Sequence, residues 1–139
     1  MGRVAVPAKI ENLEDILAAK KEKASRKKVR TIEVKDALVD TGATFLSLPR
    51  KMIEKLGLYR FRTRRAKTSA GTVEFGMYGM VQLTVQGRDC FVEVAEVPDD
   101  CPVLIGQIPL ESLDFVVDPV NQRLIGNPEH GGEHMFDMF

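Results

Sequence analysis

The chain predicts an all-β fold, a small closed β-barrel with one or two short helices and a further helix added at the N-terminus. Val29-Arg30-Thr31-Ile32-Glu33-Val34 alternates with a period of two, the signature of a half-buried strand. Val81–Val85 and Cys90–Val97 read as a hairpin joined through Gln86-Gly87-Arg88. Many short strands separated by glycine-containing turns point to a small barrel. At 139 residues, 44% apolar and 29% charged, the chain is one soluble-type domain large enough for a real core. No apolar run approaches the roughly 20 residues that a spanning helix requires.

Taken in order, residues 1–28 read as an N-terminal helical extension. Ile10, Leu13, Ile16 and Leu17 recur at helical spacing, Asn12 is a plausible N-cap, and Asp15 sits near the positive end of the helix dipole. Lys20-Lys21-Glu22-Lys23 then suits a solvated C-terminal end. The opening Met1-Gly2-Arg3-Val4-Ala5-Val6 has no long apolar stretch, so no secretory signal is expected, and Val6 argues against myristoylation. After the alternating segment from Val29, Ala37-Leu38-Val39 forms a short apolar strand. Pro49–Leu56 reads as a short helix, with Ser47 a candidate cap and Gly57 a terminator. Thr63–Lys67 and Thr72–Phe75 are strand-like, and Ser69-Ala70-Gly71 is the hairpin tip between them; Gly76 and Gly79 are alternative bends. Pro109-Leu110-Glu111-Ser112-Leu113 reads as a helical turn with proline at its first position. Phe115–Asp118 closes the domain as a strand ending in a turn. The division is therefore an extension over 1–28, a domain over 29–127 and a flexible polar tail over 128–139.

The most informative residues are Asp36-Ala37-Leu38-Val39-Asp40-Thr41-Gly42-Ala43-Thr44. A buried strand ends on a carboxylate, Asp40, in a tight Thr41-Gly42 turn. An ordinary β-turn also uses Asp and Gly, so the tripeptide alone is a weak signal. Its neighbourhood strengthens it: Leu104-Ile105-Gly106 follows some sixty residues later, and then the helical turn. Hydrophobic-hydrophobic-Asp-Thr-Gly-Ala-Thr followed by hydrophobic-hydrophobic-Gly resembles the active-site pattern of the retropepsin-like aspartic proteases, over roughly Val29 to Asn127. The motif occurs once, so the resemblance is to the single-domain form, in which two identical chains each supply one aspartate.

That resemblance implies an aspartic endopeptidase, a closed barrel of the retropepsin type, a homodimer and a peptide or protein substrate, with no cofactor and no metal. Asp40, Thr41 and Gly42 would be the catalytic residues. Asp40 would form a dyad with its symmetry mate, and the Thr41 hydroxyl would lock the two loops across the dimer. Gly42 would permit an unusual backbone angle, let the partner approach, and donate its N–H to the carboxylate. Ala43, the tip residues Ser69, Ala70 and Gly71, and Ile105 and Gly106 would contact the peptide. The 63–75 hairpin would act as a flap that excludes water. Two close carboxylates cannot both ionise comfortably, so the pair holds one proton and acts as base and acid at once. Activity better at mildly acid than at alkaline pH follows from that shared proton. The rival expectation is a dimeric retropepsin-like binding or regulatory module that no longer cuts.

Other features weigh less. His130-Gly131-Gly132-Glu133-His134 matches the H-x-x-E-H string of one metalloprotease group. Two adjacent glycines oppose the helix that a zinc site needs by roughly 1 kcal/mol each. Cys90 and Cys101 are the only cysteines; Cys90 shares a strand face with Val92 and Val94, so a buried thiol in a cytoplasmic setting is the expectation, with a disulfide between the two as the minority alternative. Net charge is zero, yet residues 1–67 hold 18 Lys and Arg against 8 Asp and Glu, whereas residues 68–139 hold 2 against 12. The basic runs Lys20–Arg30 and Arg60–Lys67 suit solvated faces or acidic partners. No recognised nucleic-acid-binding module accompanies them, so nucleic acid is not the expected partner.

Overall fold

The computed structural model describes residues 3–22 and 29–139. Strand β1 (Val4–Asn12) buries Val4, Val6, Ala8, Ile10 and Asn12 and turns the intervening side chains outward, a strict period of two. This differs from the helical extension expected over residues 1–28. Ile10 is fully buried on the strand, and helix α1 occupies only Leu13–Lys21, with no buried residue. The inward set of β1 buries more apolar surface than the narrow helical stripe would, so the strand phase wins over this segment. Residues 23–28 of the basic run lie outside the described residues.

The Asn12 side chain caps α1 as expected, accepting from Asp15 N at 3.1 Å. Its Nδ2 also donates to Leu56 O at 2.8 Å, tying α1 and β1 to the end of another helix. Asp15 accepts from Arg30 Nε (2.7 Å), Arg30 Nη2 (2.9 Å) and Arg30 N (3.0 Å). Those side-chain hydrogen bonds hold the Asp15 carboxyl below its ordinary range.

The strands close into a hydrogen-bonded ring. Strand β2 (Thr31–Val39) runs antiparallel to β1, with Ile10 opposite Ile32 and a bulge at Pro7, whose missing N–H makes it a poor ladder residue. On its other side, β2 pairs parallel with β7 (Leu104–Ile105), and β7 pairs antiparallel with β3 (Leu46–Pro49). Strand β3 then runs parallel to β6 (Arg88–Val97), which forms a hairpin with β5 (Gly71–Val85). Strand β5 returns to β1, placing Ile10 opposite Leu83 and closing the ring. Strand β4 (Tyr59–Thr68) pairs with β5 alone and projects from the ring. The β5–β6 turn is Gln86-Gly87, both at positive φ (48° and 81°), the two-residue geometry that matches strand twist.

Ile10, Leu46, Leu48, Leu56, Leu83, Ile105, Leu110 and Leu113 fill the core inside the ring. Helix α2 (Arg50–Leu56) starts one residue later than expected, and Ser47 lies buried in β3 instead of capping it; Gly57 ends it at φ 65°. Helix α3 (Gln107–Leu113) starts two residues before the expected turn, because neighbouring carbonyls satisfy its first N–H groups. Strands β8 (Phe115–Asp118) and β9 (Arg123–Gly126) form a separate two-stranded sheet.

Residues 128–139, expected as a flexible polar tail, are tied to the body. Buried Asp114 accepts from Asn127 Nδ2 (3.2 Å), His130 Nδ1 (2.6 Å) and Met135 N (3.2 Å). Arg88 spans the same junction, donating to Leu113 O (3.0 Å), Asp114 O (2.8 Å) and Gly132 O while stacking over Phe115. A buried carboxylate needs such donors, and the tail supplies two of the three side-chain and backbone groups.

Candidate active site

Asp40 is carried at the carboxyl end of β2, where the strand leaves the ring. Leu38 N donates to Val103 O (2.9 Å) and Asp40 N to Ile105 O (3.0 Å), so the strand is zipped to β7 up to the acid itself. Ala43 N then donates to Asp40 O (3.1 Å), closing the turn. Gly42 N donates to Asp40 Oδ1 at 2.9 Å, fixing the orientation of an exposed carboxylate. The unusual backbone angle expected of Gly42 is absent, since its φ is not left-handed. Space is the reason for glycine: a Cβ there would stand 3.2 Å from Asp40 Oδ1.

Beneath the Asp40 loop lies Gly106. Its N–H donates to Phe45 O (3.0 Å), while Gln107 N and Ile108 N donate to Ala43 O (2.8 Å) and Thr44 O (2.9 Å). Three successive carbonyls of the loop thus end on the first turn of α3. A Cβ at Gly106 would meet Phe45 O at 2.5 Å and Ala43 O at 2.7 Å, so only glycine permits this approach. The two sequence signals, sixty residues apart, are in direct backbone contact.

Asp40 and Thr41 line a groove of about 850 Å³, whose walls include Arg3, Leu38, Leu104, Pro102 and Gln122. Ile105 is fully buried in the core and Gly106 is buried under the loop; it is Leu104 that reaches the groove. Ala43 is half-buried between Asp40 and α3. Ser69, Ala70 and Gly71 sit at the exposed β4–β5 hairpin, where Thr68 Oγ1 donates to Gly71 O (2.8 Å) and accepts from Ala70 N (3.2 Å). They do not line the groove at Asp40 within one protomer. The hairpin does reach the loop lower down, through Phe75 and Phe45, with ring centroids 6.4 Å apart. Reading the sequence missed Arg3, Pro102 and Leu104 as wall residues. Only Leu104 carried a signal, as the strand neighbour of Ile105.

The two tail histidines are engaged separately, His130 on Asp114 and His134 Nε2 on Ser112 O at 3.0 Å. Among the described residues, no group of three or more His, Cys, Asp or Glu is gathered in a way that could hold a metal ion. Cys90 and Cys101 are both free, and burial pushes the Cys90 thiol up to about 12. Among those same residues, no helix is long and apolar enough to cross a membrane.

An acid at the end of a ring strand, cradled by the backbone of its own turn and packed on a glycine-led helix, is the arrangement that the resemblance to retropepsin-like proteases leads one to expect. Residues 33–112, more than half of the chain, match the gag-polyprotein putative aspartyl protease family, and the chain belongs to that family. No curated protein matches the chain.

Proposed function

We propose that the chain is an aspartic endopeptidase that works as a homodimer, with Asp40 of each copy forming one catalytic dyad. The observation that carries this reading is the exposed Asp40 carboxylate, held by Gly42 N–H at 2.9 Å at the edge of a groove, with no second acid in the groove wall among the described residues. One such carboxylate is half of a general acid–base pair, and a two-fold axis supplies the other half.

In the dyad one carboxylate is ionised and its mate protonated. The ionised group takes a proton from water as the water oxygen attacks the peptide carbonyl carbon. The protonated group gives its proton to the carbonyl oxygen, forming a neutral diol. Collapse of the diol breaks the C–N bond: one carboxyl passes its proton to the leaving nitrogen while a diol hydroxyl returns its proton to the other carboxylate, which restores the single-proton dyad. Thr41, exposed beside Asp40, is suited to hold the two loops together across the axis. The exposed tip Ser69-Ala70-Gly71 serves as the flap, and Leu104 and Ala43 flank the peptide. Substrates are peptides or proteins, the working compartment is cytoplasmic, and the catalytic unit takes in β1, which closes the ring, together with residues 29–127.

The test is cleavage of a diverse peptide library by the wild type and by Asp40→Asn. The substitution keeps the size of the side chain and removes its acid–base capacity, so cleavage should fall by at least about a thousandfold with an unchanged melting curve and dimer. Equal cleavage by a clean Asp40→Asn preparation would overturn the reading. Absence of cleavage by either protein would favour a silent binding module.

A further inference from the structure

Strand β4 carries five cations in ten residues, Arg60, Arg62, Arg64, Arg65 and Lys67, and every residue except Ala66 is exposed. Their surroundings differ. Directly opposed residues of an antiparallel pair share a face. Arg62 lies opposite Met77, Arg64 opposite Phe75 and Ala66 opposite Val73, so these six side chains share one face. Met77 is fully buried and Phe75 packs near Phe45, which follows the Asp40 turn, so that face is the one turned toward the body of the protein. Arg62 is paired with Glu93 at 3.4 Å. Arg64 has no carboxylate within ion-pair distance among the described residues, and residues 23–28 contain no acid. It stands as a free cation between the apolar side chains of the flap's inner face.

The outer face is different. There Arg65 stands opposite Glu74, and a second groove of about 610 Å³ sets Arg50 and Arg60 against Glu74, Glu96 and Asp99. Arg50 is itself bonded to Glu96 at 2.9 Å. That groove sets three acids against two bases. Among the described residues, the groove at Asp40 has a single base in its wall, Arg3, set against Asp40 as its single acid.

We propose that the site selects peptides bearing carboxylate side chains next to the scissile bond, with Arg64 on the flap and Arg3 in the groove wall as the selecting residues. The inference rests on the reading of Asp40 as the peptide-cleaving acid. An acidic side chain lying under the flap would meet Arg64 beside Val73 and Phe75, where partial exclusion of water strengthens the pairing. A nucleic-acid strand fits less well, because its continuous phosphates would run against the Asp40 carboxylate, whereas a peptide places its charges only where its sequence puts them.

Two matched peptide libraries test this, one with glutamate and the other with glutamine at the second to fourth positions on each side of a central apolar pair. The full chain should cleave the glutamate library about fivefold faster in kcat/KM at low salt, the size that exposed ion pairs support. The preference should shrink near 1 M salt, where the Debye length is about 3 Å. Arg64→Glu should reverse the preference, with an unchanged melting curve as the control for folding. Equal cleavage of the two libraries by the wild type overturns the proposal and leaves proteolysis standing. If neither library is cut, binding to Asp40→Asn followed by fluorescence anisotropy decides. Tighter binding of glutamate peptides that is lost in Asp40→Asn/Arg64→Glu supports acidic recognition while the protease reading falls; equal or absent binding overturns both. Tighter binding of oligouridylate than of the glutamate peptides also overturns the proposal, in favour of a nucleic-acid partner.

Discussion

Replacing Gly106 with alanine should damage the site more than any other single-methyl addition. The added Cβ would stand 2.5 Å from Phe45 O, 2.7 Å from Ala43 O and 2.7 Å from the carbonyl carbon of Thr44, all backbone atoms. Real Cβ atoms essentially never approach closer than 3.0 Å, so the loop must retreat by about half an ångström. The same carbonyls accept from Gly106, Gln107 and Ile108 N–H groups at 2.8–3.0 Å, so the retreat stretches three hydrogen bonds at once. Overpacking costs about 1–3 kcal/mol and each weakened bond up to about 1 kcal/mol, giving a loss of about 2–4 kcal/mol. For a chain of this size that corresponds to roughly 10 °C in Tm. Circular-dichroism melts and urea titrations measure it, and peptide cleavage should fall further than stability alone dictates, because the displaced loop carries Asp40. A Gly106→Ala protein that melts within 1–2 °C of wild type and cleaves normally would refute the argument that this contact positions the acid.

Two other perturbations probe the frame around the site. Asn12→Ala removes both the cap of α1 and the buried bond to Leu56 O, and should cost about 2–3 kcal/mol in urea unfolding; a loss below about 0.5 kcal/mol would contradict the pairing. The His130–Asp114 contact makes tail docking depend on pH. Hydrogen bonding to His130 lowers the Asp114 pKa from 3.8, so that contribution is present above 3.8 and disappears as pH falls through the lowered value. Hydrogen bonding to Asp114 raises the His130 pKa from 6.5, so its contribution is complete below 6.5 and is lost as pH rises through the raised value. Protection of the Met135 amide in hydrogen exchange, corrected for intrinsic rates, should therefore be greatest between 3.8 and 6.5 and decline as pH rises through the raised His130 pKa, and His130→Ala should abolish the decline.

Much of this architecture was legible from local pattern. The Asp40 turn, the Ser69-Ala70 tip, the Gln86-Gly87 hairpin and the glycine end of α2 each follow from residues only a few positions apart. What escaped was long-range. In Val4-Ala5-Val6-Pro7-Ala8-Lys9-Ile10 a proline interrupts the alternation, and Ile10 also fits a helical stripe with Leu13 and Leu17; only pairing with both β2 and β5 decides for the strand. The order of the tail depends on Asp114 meeting His130 and Met135, 16 and 21 residues away. Leu104 and Ile105 alternate along β7, and which of them faces the groove depends on pairing with strands from two other parts of the chain, β2 and β3. The flap's basic run was visible, whereas the isolation of Arg64 emerges from cross-strand register.

The shared dyad is tested most directly by mixing. Wild-type enzyme, held at fixed concentration and allowed to exchange subunits with an equal amount of Asp40→Asn, should lose about half of its cleavage activity, because random pairing places half of the wild-type chains beside an inactive partner. Activity unchanged by any excess of Asp40→Asn, with subunit exchange confirmed by a labelled subunit, would mean that each chain cuts alone and would contradict the account.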